Sequence, residues 1–235
     1  MRALTEKEVE GFLEEAGIDS IYSENVKSIE EARKRLANFS FPIVLKASSK
    51  AHGAQSSGRG AGGAGLGAGS SERAEDSLDK PEPSIVRIVR NKEEFTKRFN
   101  GLLEEIKERK MKCDGVTMRE FVDGVELVLG LRKDPTFGYA LMFGFGGEFA
   151  ETHRDRTYRV CPINDRDAGK MIDELKAKNI LFDGNKNLDL EKLRKALMKL
   201  SKAPQKKRGL NEIVISPLVM NENGLKAVNS RIIFD

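Results

Sequence analysis

The sequence predicts an α+β fold in two lobes. Three observations carry that reading: capped amphipathic helices in the first half, a run of strand signals without helices between them, and a closing hairpin. A doubly wound parallel sheet would need strands and helices in strict alternation, and this order does not supply it. With roughly 100–200 residues per domain, a chain of 235 residues has room for one large domain or two small lobes. The lobes are expected at residues 1–121 and 122–235.

Thr5-Glu6-Lys7-Glu8 is a capping-box signal, and it opens a helix that buries Val9, Phe12, Leu13 and Ala16 and stops at Gly17. Ser28 starts a second helix, which runs to about Asn38 before Phe41-Pro42 ends it. Ile43-Val44-Leu45 is a short apolar run, read as a buried strand that delivers Lys46 at its end. Composition then changes: residues 47–84 are rich in Gly, Ala and Ser and are expected to form a mobile loop. Ile85–Val89 alternates as a strand, and Asn91 caps a helix with Phe95, Phe99, Leu102, Leu103 and Ile106 inside. Strands follow at about 116–122, 125–131 and 139–143, then a glycine turn at Gly144-Phe145-Gly146-Gly147 and a strand pair at about 148–152 and 157–161. Helices are expected at about 165–178 and 189–202, and Asn223-Gly224 is the turn signal of the final hairpin.

Composition excludes several function classes. No run of about 18 apolar residues exists, so no membrane helix is expected. Lys and Arg total 41 against 37 Asp and Glu, an excess too small to mark a nucleic-acid binder, and no aromatic platform for bases is apparent. Cys113 and Cys161 cannot form a disulfide framework or a four-ligand metal site, and they fit a reducing compartment. The first residues carry no apolar run of the secretory kind, so a cytoplasmic location is expected. Two histidines, His52 and His153, exclude a three-histidine centre.

Three groups could carry chemistry. Lys46, alone, reads first as a snorkelling edge residue, but a lysine there can also reach a phosphate. Gly58-Arg59-Gly60 could offer backbone N–H groups and a guanidinium to phosphate oxygens, or could be linker; it lacks the Lys-Ser/Thr ending of a P-loop. Gly144–Gly147 with Glu148, Glu151 and Arg159 is either a site turn or a plain glycine hairpin. Lys206-Lys207-Arg208 reads as a solvated link or an anion patch.

Together these residues resemble the β subunit, an ATP-grasp module, of ADP-forming acetyl-CoA (acyl-CoA) synthetases, and more distantly the succinyl-CoA synthetase β subunit. The resemblance spans nearly the whole chain. It includes Leu4-Thr5-Glu6, Ala16-Gly17-Ile18 and Phe41–Lys46. It is strongest over Glu120–Gly130, Lys133–Gly138, Met142–Gly147 and Arg159–Pro162, and it closes with Glu212–Leu218 and Lys226–Ile233. It implies an ATP-grasp fold whose lobes grip ATP or ADP. Lys46 and the loop Gly58, Arg59 and Gly60 would contact the phosphates. The hinge with Glu120, Phe121 and Val122 would hold the adenine edge, and Glu126 would approach the ribose. Lys46 and Arg159 would be catalytic. Phosphate would pass between the nucleotide and a phosphohistidine on a partner α-type subunit, which would also bind CoA and the acyl group.

The chain departs from that family where Mg²⁺ would be held. Val214 stands where the family has an acidic residue, Ser216 where it has Asn, and Asn229 where it has Asp. Mg²⁺ prefers carboxylate oxygens, so the remaining candidate ligands are Glu212, Ser216 and Asn229. The family's His-Lys-Ser-Asp loop is also missing. The alternative is therefore a degenerate ATP-grasp subunit that binds or regulates without catalysis.

Overall fold

The computed structural model describes residues 1–49, 85–111, 113–147, 155–182 and 188–235. The candidates Gly58, Arg59 and Gly60, both histidines, Glu148 and Glu151 lie outside the described residues.

Local signals set most elements. β1 (Arg2–Ala3) precedes α1 (Glu6–Ala16), whose capping box forms as expected: the Thr5 N–H donates to Glu8 Oε2 at 2.8 Å. Gly17 ends the helix at φ +80°, and its N–H donates to Glu14 O at 2.9 Å. β2 (Asp19–Ser20) and β3 (Ser23–Val26) lead to α2 (Ile29–Arg35), capped by the Ser28 hydroxyl and extended by a 3₁₀ turn at Leu36–Asn38. β4 spans Ile43–Ser49, so Lys46 sits mid-strand rather than at its end, and the strand runs past the point where the loop was expected to begin. β5 (Val86–Val89), α3 (Lys92–Glu108) and β6 (Cys113–Glu120) follow, with Asn91 Oδ1 accepting from the Glu94 N–H at 3.0 Å.

β7 (Val125–Asp134), β8 (Gly138–Phe145) and β9 (Arg156–Val160) are successive antiparallel neighbours. α4 covers only Asp165–Asp173, shorter than expected. The Lys176 and Ala177 N–H groups donate instead to the buried Asp155 carboxylate, at 2.9 and 2.8 Å. Two short helices, α5 (Asn179–Phe182) and α7 (Ala203–Lys206), flank α6 (Leu190–Ser201). β10 (Leu210–Asn221), β11 (Gly224–Ala227) and β12 (Ser230–Phe234) complete the chain. Asn221 pairs with Gly224, so the loop is Glu222-Asn223, one residue earlier than the sequence signal placed it. The Asn221 side chain fixes it by accepting from the Asn223 N–H at 2.9 Å.

The elements divide into two compact units. Tyr22–Phe121 forms a four-stranded sheet in the order β3-β6-β4-β5. α2 and α3 cover one face of it over a core that includes Ile43, Leu45, Phe95, Phe99, Val116 and Met118. Met1–Ile21 and Val122–Asp235 form the second unit around a larger sheet, ordered β1-β12-β10-β7-β8-β9 among the described residues, with β11 and β2 beside it. Residues 1–21 therefore do not belong to an N-terminal lobe running to residue 121. β1 pairs with β12, and Val9, Phe12, Leu13 and Ala16 of α1 enter the core of the larger unit. That core packs Leu127, Leu129, Leu131, Leu141, Phe143, Ile213 and Ile215 against α1, α4 and α6. No helix among the described residues is long and apolar enough to cross a membrane.

Phe143 is fully buried at the centre of this core. Phe143→Ala is expected to lower the unfolding free energy by about 3–5 kcal/mol through lost burial and an unfilled cavity. Urea unfolding of both chains, followed by circular dichroism, measures the loss.

Candidate functional site

Sheet alternation assigns each side chain to a face. In the unit Tyr22–Phe121, Ile43, Leu45 and Ala47 face the helices, so Val44 and Lys46 take the other face. Their cross-strand partners are Ile88 and Val86 on β5, and Arg119 and Thr117 on β6. Lys46 is half-buried, with Val86 and Ile88 exposed beside it. Arg119 thus joins the Lys46 row. Sequence reasoning passed over it, although Val116-Thr117-Met118-Arg119 alternates clearly enough to have placed it. Glu120 pairs with Ile43 and so falls on the opposite row from Lys46. Its N–H donates to Tyr22 O at 3.2 Å, and the Phe121 N–H to Pro42 O at 3.3 Å. Glu120 and Phe121 are therefore tied by their backbone to the ends of neighbouring segments. Val122 opens the other unit.

In the larger unit the rows away from the helices hold Glu126, Val128, Gly130 and Arg132 on β7, Glu212, Val214 and Ser216 on β10, and Arg231 on β12. Pairing puts Val214 between Gly130 and Arg231, and Glu212 directly opposite Arg132. The Ser216 N–H donates to Asn229 O at 2.9 Å, which sets the expected metal residues Glu212, Ser216 and Asn229 along one stretch of this face. The Arg231 Nη2 donates to Glu212 Oε2 at 2.9 Å. Arg156 and Tyr158 on β9 share the same face, opposite Gly144 and Met142.

The glycine turn serves this face directly. The Gly146 N–H donates to Glu126 O at 2.9 Å. Gly147 has φ +62°, and a Cβ there would come within 2.3 Å of Glu126 Oε2. Gly144 faces a similar limit, since a Cβ would lie 2.3 Å from Asp155 O. The turn therefore leaves space for the Glu126 carboxylate that only glycine provides.

Arg159 departs from its expected place. Thr157 faces the helices, where its hydroxyl donates to Met171 O at 3.2 Å, and Arg159 follows two residues later on the same row. Its Nη2 donates to Glu174 at the end of α4, at 2.5 Å. Arg159 is thus on the opposite side of the sheet from Glu126 and Glu212, whereas Arg156 and Tyr158 are on their side. Cys161, next along, has its thiol pushed up to about 12 by burial, which makes it a poor nucleophile.

A Mg²⁺ ion wants one or two carboxylates besides phosphate and water oxygens. Val214 supplies no donor, Ser216 a hydroxyl and Asn229 a neutral amide. The carboxylate among these three, Glu212, is already bonded to Arg231, and Glu126 lies on the same face of the sheet. Among the described residues no three His, Cys, Asp or Glu converge. Of the three candidate ligands, Glu212 alone brings a carboxylate.

Residues 72–234 match the ATP-grasp domain. Acetate–CoA ligase [ADP-forming] I subunit beta of Pyrococcus furiosus is 30% identical, over 99% of this chain and 92% of its own length. The corresponding II subunit beta is 28% identical over 96% and 88%. Acetate–CoA ligase [ADP-forming] I of Archaeoglobus fulgidus is 27% identical over 94% of this chain, which spans only 29% of that longer protein. A solved structure of acetyl-coenzyme A synthetase 1 from Ca. Korarchaeum cryptofilum, with coenzyme A and Ca-AMPCP, superposes with a TM-score of 0.72 at 30% identity, covering 100% of this chain and 94% of that one. Another structure of that protein holds coenzyme A and Mg-AMPPCP, with a TM-score of 0.65 at 28% identity over 100% and 93%.

A double-mutant cycle tests the placement of Arg159. The Arg159 and Glu174 side chains are 25% and 48% exposed, so Arg159→Ala and Glu174→Ala should show a coupling of about 0.2–1 kcal/mol in urea unfolding. Absence of coupling would contradict the pair.

Proposed function

The chain belongs to the ATP-grasp domain family, and on that premise we propose that it is the nucleotide-binding β-type subunit of an ADP-forming acyl-CoA synthetase. The observation that carries this reading is the end-to-end correspondence, at matching length, with β subunits bearing that name. We infer that phosphate moves between ATP or ADP and a phosphohistidine on a partner α-type subunit, which also holds CoA and the acyl group. The longer relatives, of which this chain spans 29%, support assigning the remaining functions to such a partner. A cytoplasmic location belongs to the same proposal.

In this reading each residue acts through ordinary electrostatics. Lys46 presents an ammonium to a phosphate oxygen from a strand that also carries the apolar Val44, beside Val86 and Ile88 on the neighbouring strand. Arg119, on the same row, adds a second cation. Glu126 offers its carboxylate to ribose hydroxyls from the space that Gly147 leaves free. Glu120 and Phe121, as hinge residues, offer backbone groups to the adenine edge. Gly58, Arg59 and Gly60 remain proposed phosphate contacts. The reading of a subunit without chemistry finds no support in relatives named as ligases or their subunits.

Two measurements test this. Lys46→Ala should lose about 1.5–3 kcal/mol of ADP binding, roughly a ten- to hundredfold drop in calorimetric affinity. Equal affinity in the two chains would remove Lys46 from the site. The purified chain alone should form no acyl-CoA from acid, CoA and ATP, and turnover by the single chain would refute the half-enzyme assignment.

A further inference from the structure

The chain passes between its two units twice, at Ile21–Tyr22 and at Phe121–Val122. Each passage is held on both sides by bonds that lie within one unit. On the first, the Ile21 N–H donates to Ala227 O of the larger unit at 3.2 Å. One residue on, Tyr22 O accepts from the Glu120 N–H of the smaller unit at 3.2 Å. On the second, the Phe121 N–H donates to Pro42 O of the smaller unit at 3.3 Å, and Asp123 O accepts from Asn221 Nδ2 of the larger unit at 2.9 Å. Gly124 then lies so close to β10 that a Cβ would come within 2.5 Å of Met220 O. Packing follows the same division. Ile18 and Val125 belong to the core of the larger unit, and Val26 and Met118 to that of the smaller.

The bond between Tyr22 and Glu120 sets the two passages side by side. Each residue brings two soft backbone dihedrals. Between its holding bonds, the first passage has only the dihedrals of Ile21 and Tyr22, and the second only those of Phe121, Val122 and Asp123. A single covalent passage would let a unit turn about any axis through it. Two passages side by side leave one axis, the line that joins them.

We propose that Ile21–Tyr22 and Phe121–Asp123 form one two-stranded hinge, on which the smaller unit turns as a body. The inference goes beyond the nucleotide-binding reading and does not rest on it. Lys46, Arg119, Glu120 and Phe121 ride on the smaller unit, and Glu126, Glu212 and Asn229 on the larger. Glu120 and Glu126 are close in sequence, yet a turn of the hinge moves one against the other. The second strand of the hinge exists because β1 pairs with β12 and β2 with β11, which place residues 1–21 in the larger unit. A lobe running from residue 1 to 121 would have had a single passage.

The test is a distance measurement between spin labels by pulsed electron paramagnetic resonance, on the full chain without nucleotide. Cys113→Ser and Cys161→Ser remove the native thiols. Glu108→Cys and Thr136→Cys then place one label on an exposed residue of each unit, and Lys34→Cys with Glu108→Cys gives a pair within the smaller unit. The pair across the units should show a distance distribution about twofold or more broader than the pair within one. Two glycines inserted after Val122 should broaden it further, because lengthening one strand releases the single axis. The same insertion after Glu222, in the loop between β10 and β11, should leave it unchanged. Equal widths for the two pairs would overturn the hinge, as would an insertion after Val122 without effect, or equal broadening by both insertions. If the chain lengthened at Val122 does not fold, as read from its melting curve, Val122→Gly takes its place, since it frees the same dihedrals. ADP is absent from every sample, so each of these outcomes leaves the nucleotide-binding reading standing.

Discussion

The alternation of side chains across the β10-β7-β8 sheet is the constraint on which the rest depends. Leu127, Leu129 and Leu131, Phe143, and Ile213 and Ile215 are each at most 1% exposed. Full burial of such a side chain contributes about 1.5–3 kcal/mol. A one-residue slip of β10 against β7 would turn Ile213 and Ile215 outward and drive Glu212 into the helix-covered core, at a cost of two such terms plus a desolvated charge. The core thus fixes, by parity alone, that Glu126, Arg132, Glu212 and Arg231 share the other side of the sheet. The placement of charge there is a consequence of hydrophobic packing several ångströms away.

The glycine turn after β8 adds a constraint that packing alone could not supply. Gly144 lies so near Asp155 O that no Cβ fits there, and at Gly147, where φ is +62°, a Cβ would displace the Glu126 carboxylate. Asp155 in turn accepts from the N–H groups of Lys176 and Ala177. One buried carboxylate therefore links the start of β9 to the segment after α4, while the neighbouring turn positions Glu126.

Local chemistry was legible in the sequence and non-local chemistry was not. Thr5 with Glu8, Ser28, Asn91 and Asp189 each cap the helix they were expected to start, because a cap is decided within four residues. The inner face of α3 and the buried run Ile43–Leu45 were equally readable from period. The place of α1 beside β12 depends on partners more than two hundred residues away, and nothing local announces it. The face of Arg159 is harder to read for a sharper reason. Among the described residues β9 ends its sheet, and its polarity is inverted: Thr157 is buried, while Tyr158 and Val160 are 43% and 54% exposed. Hydrophobicity therefore points the wrong way along that strand, and only the register against β8 restores the parity. The row of Glu120 likewise follows only from its pairing with Ile43.

That parity also gives Val214 a physical meaning. It stands on the sheet between Gly130, which has no side chain, and Arg231. A carboxylate at this position would sit beside Glu212 on the same strand face and compete for the one guanidinium that now binds it. Like charges so close raise one another's pKa unless a cation of higher charge separates them. With valine there, the Arg231–Glu212 pair needs no such ion, and its guanidinium projects beyond the carboxylate that anchors it. Residue 214 thus adds no charge of its own beside the Arg231–Glu212 pair.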